Sequence, residues 1–187
     1  LAPGAELPSY TEGQMEKRVL SHTERTAWPA SCTPPKTTDR QPVLLTAAGF
    51  LSGVVIAASE FSHQKARPSR VHDVVIDDCR LKPAMVVAMQ GDKLRVRSTV
   101  KYPFMPSFGA SPEVRTLIPG QTYDVVLNKA GVSPLVCGFT APCGRTDVVV
   151  MLHPVASVTD AEGKFRIQGF PAGETVSVSA WHPLFGE

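Results

Sequence analysis

No window of this 187-residue chain keeps apolar residues at helical spacing beyond two turns, which argues against a helical architecture. A run or stripe of one charge sign is missing as well. The 19 Lys and Arg and 17 Asp and Glu are scattered through strand-like segments, so nothing points to a nucleic-acid partner. The one long apolar window, Val43 to Ser59, is interrupted by Gly49, Ser52 and Gly53 and reads as buried strand instead of a bilayer span. There is no Gly-x-Ser-x-Gly elbow, no His-Glu-x-x-His and no phosphate-binding glycine loop, and the Asp77-Asp78 pair reads as a turn or strand end with solvated carboxylates. Neither catalysis nor a small-molecule substrate is expected, and no cofactor.

What is present is punctuation. Seventeen prolines and fourteen glycines divide Val- and Thr-rich stretches, and the class is all-β. Residues 1–40 lack strand alternation and read as an extended N-terminal arm. A helix over 10–20, with Thr11 as N-cap, would be too short to persist without a surface to lie on. Trp28, near Cys32, is a candidate anchor for that arm. Ten short strands are expected from Pro42 onward: Val43 to Ala47, Gly53 to Ala58, Asp73 to Ile76, Met85 to Met89, Lys93 to Ser98, Thr122 to Leu127, Leu135 to Cys137, Asp147 to Leu152, Phe165 to Ile167 and Thr175 to Trp181. Strands at this spacing make a sandwich. Gln90-Gly91-Asp92, Pro119-Gly120-Gln121 and Asn128-Lys129-Ala130-Gly131 supply turns in which Gly or Asn can take positive φ.

Four cysteines, Cys32, Cys79, Cys137 and Cys143, contain no Cys-x-x-Cys pair and meet no histidines at zinc-finger spacing. They read as disulfides formed in an oxidising compartment. Cys137 and Cys143 flank a short Gly- and Pro-containing loop that a bridge could span. His22, His63 and His72 lie in polar, loop-like surroundings, whereas His153 and His182 precede prolines at strand ends, where backbone hydrogen bonding accounts for them. Met85, Met89 and Met151 are expected to fill the core. The chain opens at Leu1, and a leader or membrane anchor ahead of it fits an exported protein.

The last third is the most specific. Leu135-Val136-Cys137 is followed by Asp147-Val148-Val149-Val150-Met151-Leu152-His153-Pro154, and then by Thr159-Asp160-Ala161-Glu162-Gly163-Lys164-Phe165-Arg166-Ile167-Gln168-Gly169-Phe170-Pro171-Ala172-Gly173. The first part resembles the copper-loop strand of a blue-copper (cupredoxin) domain. The second resembles the turn-strand-turn pattern of carboxypeptidase-regulatory-like β-sandwiches, with Phe165 and Ile167 alternating into a core. Together they resemble a bacterial exported family that joins a plastocyanin-like sandwich to such a segment, and the resemblance runs from about Ser31 to His182.

A blue-copper site uses two imidazoles, a thiolate and a weak axial ligand. In that family the first His follows the strand that here ends near Ser98 and Thr99, and its position falls on Phe104. The other ligands come from a loop resembling Cys-x-x-Gly-His-Pro-Trp-Met. Counting back from His153-Pro154 puts the thiolate on Cys137, the histidine on Ala141, the tryptophan on Cys143 and the axial methionine on Gly144. The resemblance therefore implies one ligand of four, and none if Cys143 ties up Cys137. No histidine lies between His72 and His153. The family also carries cysteines at the places of Cys32 and Cys79, which implies a second bridge worth about 4 kcal/mol on the chain-entropy scale.

The expected organisation is an arm over 1–40, a cupredoxin-like Greek-key sandwich over 41–153 and a regulatory-like β segment over 154–187. The expected role is a non-catalytic, periplasmic or extracellular accessory subunit without metal. It would dock on the protein subunits of a larger membrane-associated assembly, such as an electron-transfer or photosynthetic complex. Trp28, Tyr102, Phe104, Phe108, Trp181 and Phe185 are its candidate contact residues. Two alternatives stand beside it. One is a copper carrier using Cys137 or Cys143 with Met105; the other is a carbohydrate or surface-adhesion module presenting Trp28, Tyr102 and Trp181.

Overall fold

The computed structural model describes residues 29–33, 44–45, 47–61, 67–110, 115–137, 143–153, 155–170 and 172–183. Most of the expected arm, including the helix over 10–20, lies outside them. Thirteen strands follow one another, β1 (Leu44–Leu45), β2 (Leu51–Ser52), β3 (Val55–Ser59), β4 (Val71–Asp77), β5 (Arg80–Lys82), β6 (Met85–Met89), β7 (Lys93–Ser98), β8 (Pro106–Phe108), β9 (Thr122–Val126), β10 (Gly131–Cys137), β11 (Arg145–Met151), β12 (Ala156–Val158) and β13 (Ser177–Trp181). Among the described residues there is no helix.

Two four-stranded sheets, ordered β5-β4-β7-β9 and β6-β11-β10-β8, form the main body. Each has one parallel pair, β4 with β7 and β6 with β11, so the chain crosses between sheets instead of running as a meander. This is the all-β Greek-key sandwich expected from the sequence. The period of two explains why it closes. Val74 and Ile76 of β4 and Leu94 and Val96 of β7 point inward from one sheet, and Leu135, Val148 and Val150 from the other; all share one core with Val86 and Ala88.

At the turn between β6 and β7, Gly91 takes a φ of 89° and the Asp92 N–H donates to the Met89 carbonyl at 3.0 Å. Asp92 is 1% exposed and gathers the end of the sandwich around its carboxylate. It accepts from both terminal nitrogens of Arg67 at 2.9 and 2.6 Å and from the backbone N–H groups of Arg70 and Met89 at 2.9 and 2.8 Å. His72 Nε2 lies 2.8 Å from the same carboxylate. His72 is thus a β4 residue with a charged partner, and the loop-like surroundings expected for it are corrected.

A third sheet, ordered β12-β3-β13, joins residues from both sides of the sandwich. β3 pairs antiparallel with β12 and with β13, so strands from the two ends of the described chain share one sheet. The Thr159 hydroxyl fixes this arrangement by accepting from the Val54 N–H and donating to the Leu51 carbonyl, each at 2.9 Å. A second expectation is also corrected. Phe165 to Ile167 forms no strand, and Phe165 is 52% exposed. Its turn is well made, with the Asp160 side chain accepting from the Glu162 and Lys164 N–H groups at 3.0 and 2.8 Å. A strand also needs a neighbour to bond, and this stretch pairs with none of the described strands.

Candidate functional site

One end of the sandwich collects the described positions that the resemblance assigns to the copper ligands, Phe104, Cys137 and Gly144. After β7, the Thr99 N–H donates to the Ile76 carbonyl at 3.0 Å and the Val100 N–H to the Ser98 hydroxyl at 3.1 Å. These bonds turn the chain back over the end of the core. Phe104 then exchanges backbone hydrogen bonds with Leu117, at 3.0 and 2.7 Å, and its side chain is fully buried. The next residues enter β8, whose Pro106 stands opposite Cys137 at the end of β10.

Cys137 and Cys143 are joined by a disulfide with their Cα atoms 5.4 Å apart, and both are buried. The Cys143 carbonyl accepts from the Leu81 N–H at 2.7 Å, which ties this loop to β5. Two residues before Leu81, Cys79 is bonded to Cys32 with a Cα separation of 5.7 Å. Asp78 and Cys79 both take positive φ, 48° and 56°, and Asp78 accepts from the Thr33 N–H at 2.7 Å. The β4–β5 turn is therefore where the N-terminal segment is fastened to the body. Gly144 has a φ of 72°, a backbone state that favours glycine, and it offers no side chain to the site.

The chemistry open to this end is limited. A sulfur held in a disulfide supplies no thiolate to a metal or a substrate. Phe104 supplies no ligand atom. Among the described residues no three His, Cys, Asp or Glu side chains come together to hold a metal ion. The described histidines are elsewhere. His153 lies beyond the far end of the seven-residue β11, which at ~3.3 Å per residue puts it roughly 20 Å from the loop. His72 sits at the opposite end of β4 from Thr99, and His182 is buried after β13.

The candidate contact residues divide. Phe104 is corrected from a surface residue to a core residue, because its ring fills the space closed by β8 and Leu117. Tyr102 packs edge-on against it at 5.6 Å, and both Tyr102 and Phe108 are half-buried against the core. They keep an exposed part at the surface, beside half-buried Met105 and exposed Lys101 and Pro103. Trp181 is half-buried at the end of β13 in the third sheet, away from this loop in the strand order. Trp28, Ala141 and Phe185 lie outside the described residues. His22 and His63 do too.

Sequence reasoning missed two features. The Asp92 cluster was hidden because its partners are 20–25 residues upstream, although an acidic residue after Gly91 in a tight turn was visible. Met85, Met89 and Met151 are not core residues: Val86 and Ala88 take the inward positions of β6, Met85 and Met89 are half-buried on its other face, and Met151 of β11 is half-buried at the register position opposite Met89. Both faces of β6 are apolar, so alternation gave the period and not the phase.

No protein-family model matches the chain, and no curated protein matches it. Among solved structures, amicyanin from Paracoccus versutus is 17% identical, with 46% of this chain and 85% of that chain covered at a TM-score of 0.38. A purple cupredoxin from Nitrosopumilus maritimus is 16% identical, with 42% and 98% covered at 0.37. A copper-containing nitrite reductase from Thermus scotoductus is 14% identical, with 50% and 25% covered at 0.38. Each is a likeness in part of the β-sandwich, and nothing about metal or activity passes through it to this chain.

Proposed function

We propose that this chain is a non-catalytic accessory subunit of an exported assembly, built on a copper-protein sandwich whose ligand positions no longer take the metal. The observation that carries the reading is the Cys137–Cys143 bridge. It occupies the one ligand-competent position that the resemblance leaves, while Phe104 plugs the place of the first imidazole. Two disulfides and no free cysteine among the described residues support an oxidising compartment, periplasmic or extracellular.

The docking surface in this reading is the closed end of the sandwich. Tyr102 and Phe108 present amphipathic and apolar area with little rotamer entropy to lose, and Lys101 adds a cation at the rim. The partner is a protein subunit of a larger membrane-associated assembly, an electron-transfer or photosynthetic complex being the kind favoured here. The carbohydrate reading has less support. Tyr102 packs against Phe104 and Trp181 belongs to a different sheet, so they do not share one flat aromatic platform.

Purification from the source membrane under mild detergent, with identification of what co-migrates, tests the reading. Stoichiometric co-migration with a membrane complex, lost in a Tyr102→Asp, Phe108→Asp double variant that stays folded, is the expected result. A protein that purifies alone and carries about one copper per chain would overturn it.

A further inference from the structure

The third sheet leaves one edge strand largely exposed. β13 ends the order β12-β3-β13, and among the described residues no strand pairs with its outer side. The Ala58 N–H donates to the Val155 carbonyl on the β12 side at 3.0 Å, so the alternation of an antiparallel strand turns the main chain of Val55, Ala57 and Ser59 toward β13. Their register partners there are Trp181, Ser179 and Ser177. The N–H and C=O groups of Val178 and Ala180 therefore point outward from the sheet edge. Their side chains share a face with Ala58 and Ile56, which are buried, yet Val178 is 57% exposed. The apolar face thus runs one strand beyond what the sandwich covers.

The other edges carry features that discourage strand addition. β5 bears Arg80 and Lys82, and β9 bears Asp124. β8 is three residues long and opens on Pro106, β12 is also three residues long, and β1 and β2 have two residues each. β6 has no exposed position. β13 has none of these protections: three of its five residues are exposed, and none of residues 175–181 is charged or a proline. The Glu60 carboxylate, beyond the end of β3, accepts from the Ser177 hydroxyl and so stays at the start of β13.

We propose that β13 pairs antiparallel with β13 of a second copy of this chain, about a two-fold axis at Ser179. In that register Val178 and the partner's Ala180 exchange backbone hydrogen bonds, as do Ala180 and the partner's Val178, and the apolar side chains of both pairs cover one another. Ser179 faces its own copy, and with no charge on either strand nothing opposes the pairing. This self-matching selects a second copy as the occupant. The proposal goes beyond the docking reading, which uses the Cys137 end and does not depend on β13. A single strand pair covers less than the ~1,200 Å² of the smaller specific interfaces, so the dimer is weak, with a Kd on the order of 100 μM.

The test is sedimentation velocity of the full chain from about 10 μM to about 1 mM, a range that brackets this Kd, with amide hydrogen exchange followed across the same range. A monomer–dimer equilibrium is expected. The Val178 and Ala180 amides should exchange freely in the monomer and gain tenfold or more protection in the dimer, while the Ser179 amide is protected throughout by β3. Ser179→Lys and Ser179→Glu each place like charges directly opposite one another and should each weaken dimerisation tenfold or more, and an equimolar mixture of the two should restore it. Ala180→Pro removes an outward donor without removing a bond to β3 and should also weaken dimerisation tenfold or more. Urea unfolding of each variant checks that the fold is kept. A chain still monomeric at the highest concentration, a dimer that Ser179→Lys and Ala180→Pro leave intact, a Lys and Glu mixture that stays monomeric, or Val178 and Ala180 amides protected at every concentration would overturn the proposal.

Discussion

Replacing Asp92 by alanine tests the physical account of the sandwich at its most connected point. The substitution removes the acceptor for both Arg67 nitrogens and for the Met89 and Arg70 N–H groups, and leaves the 16%-exposed guanidinium without its carboxylate. Breaking a buried pair from one side costs about 3–5 kcal/mol, and each orphaned backbone donor costs about 1–3 kcal/mol when water cannot reach it. Because Arg67 keeps some access to water, a total loss of about 3–5 kcal/mol is expected, a large share of the ~5–15 kcal/mol typical of a domain. Asp92→Asn keeps one acceptor oxygen and should lose less, about 2 kcal/mol. Urea unfolding at pH 7 reads this as a lower midpoint with an unchanged slope.

The same group fixes the pH response. Burial pushes the Asp92 carboxyl up, but the hydrogen bonds from Arg67, from the Met89 and Arg70 N–H groups and with His72 outweigh it and hold the pKa well below the usual carboxylate range. A depressed pKa means that this contribution is fully present above the unfolded value near ~3.9 and is lost as pH falls below it. Wild-type stability should therefore decline steeply between about pH 5 and pH 2, and Asp92→Asn should flatten that limb. A double-mutant cycle with Arg67→Ala should show coupling of about 1 kcal/mol or more. Superimposable unfolding curves for wild type and Asp92→Ala, or no coupling to Arg67, would refute the reasoning.

Further outcomes follow from burial and connectivity. Phe104→Ala should cost about 3–5 kcal/mol in urea unfolding because the ring is fully buried, whereas Phe165→Ala should change stability by less than about 0.5 kcal/mol because that ring is half-exposed and outside any strand. Equal effects would mean that the C-terminal segment packs in a way these contacts do not describe. Reducing the Cys32–Cys79 bridge, with a sequence separation of 47, should lower stability by about 4 kcal/mol, and the Cys137–Cys143 bridge, with a separation of 6, by about 2 kcal/mol. Single Cys-to-Ala pairs followed by calorimetry check the order. Thr159→Val should cost about 1–3 kcal/mol by stranding the Val54 N–H and the Leu51 carbonyl, and should raise amide exchange in β3 and β13 before it does so in β4.

Much of this architecture was legible in the residues. Strands β4, β6, β7, β9 and β11 coincide with alternating or continuous apolar runs, and Gly91 and Gly120 take the positive φ that their turns call for. The non-local choices were not legible. Nothing in Val55-Ile56-Ala57-Ala58-Ser59 states that its neighbours are β12 and β13, about a hundred residues on. Phe165-Arg166-Ile167 alternates correctly yet lacks a partner, which shows that a period of two is a condition for a strand and not its cause. β8 was hidden because Pro106-Ser107-Phe108 is only three residues long and opens on a proline, too short for alternation to register, and it forms by pairing with β10. At the closed end, the residues to watch were readable by position, but Phe104's complete burial depends on its bridge to Leu117, a contact no local pattern encodes.

The central claim is that the Cys137 end of the sandwich holds a disulfide in place of a metal. The direct measurement is the visible absorption spectrum of the oxidised protein after addition of one equivalent of Cu(II). The account predicts no thiolate-to-copper charge-transfer band, because Cys137 offers no thiolate. An intense visible band that disappears in Cys137→Ser would contradict it.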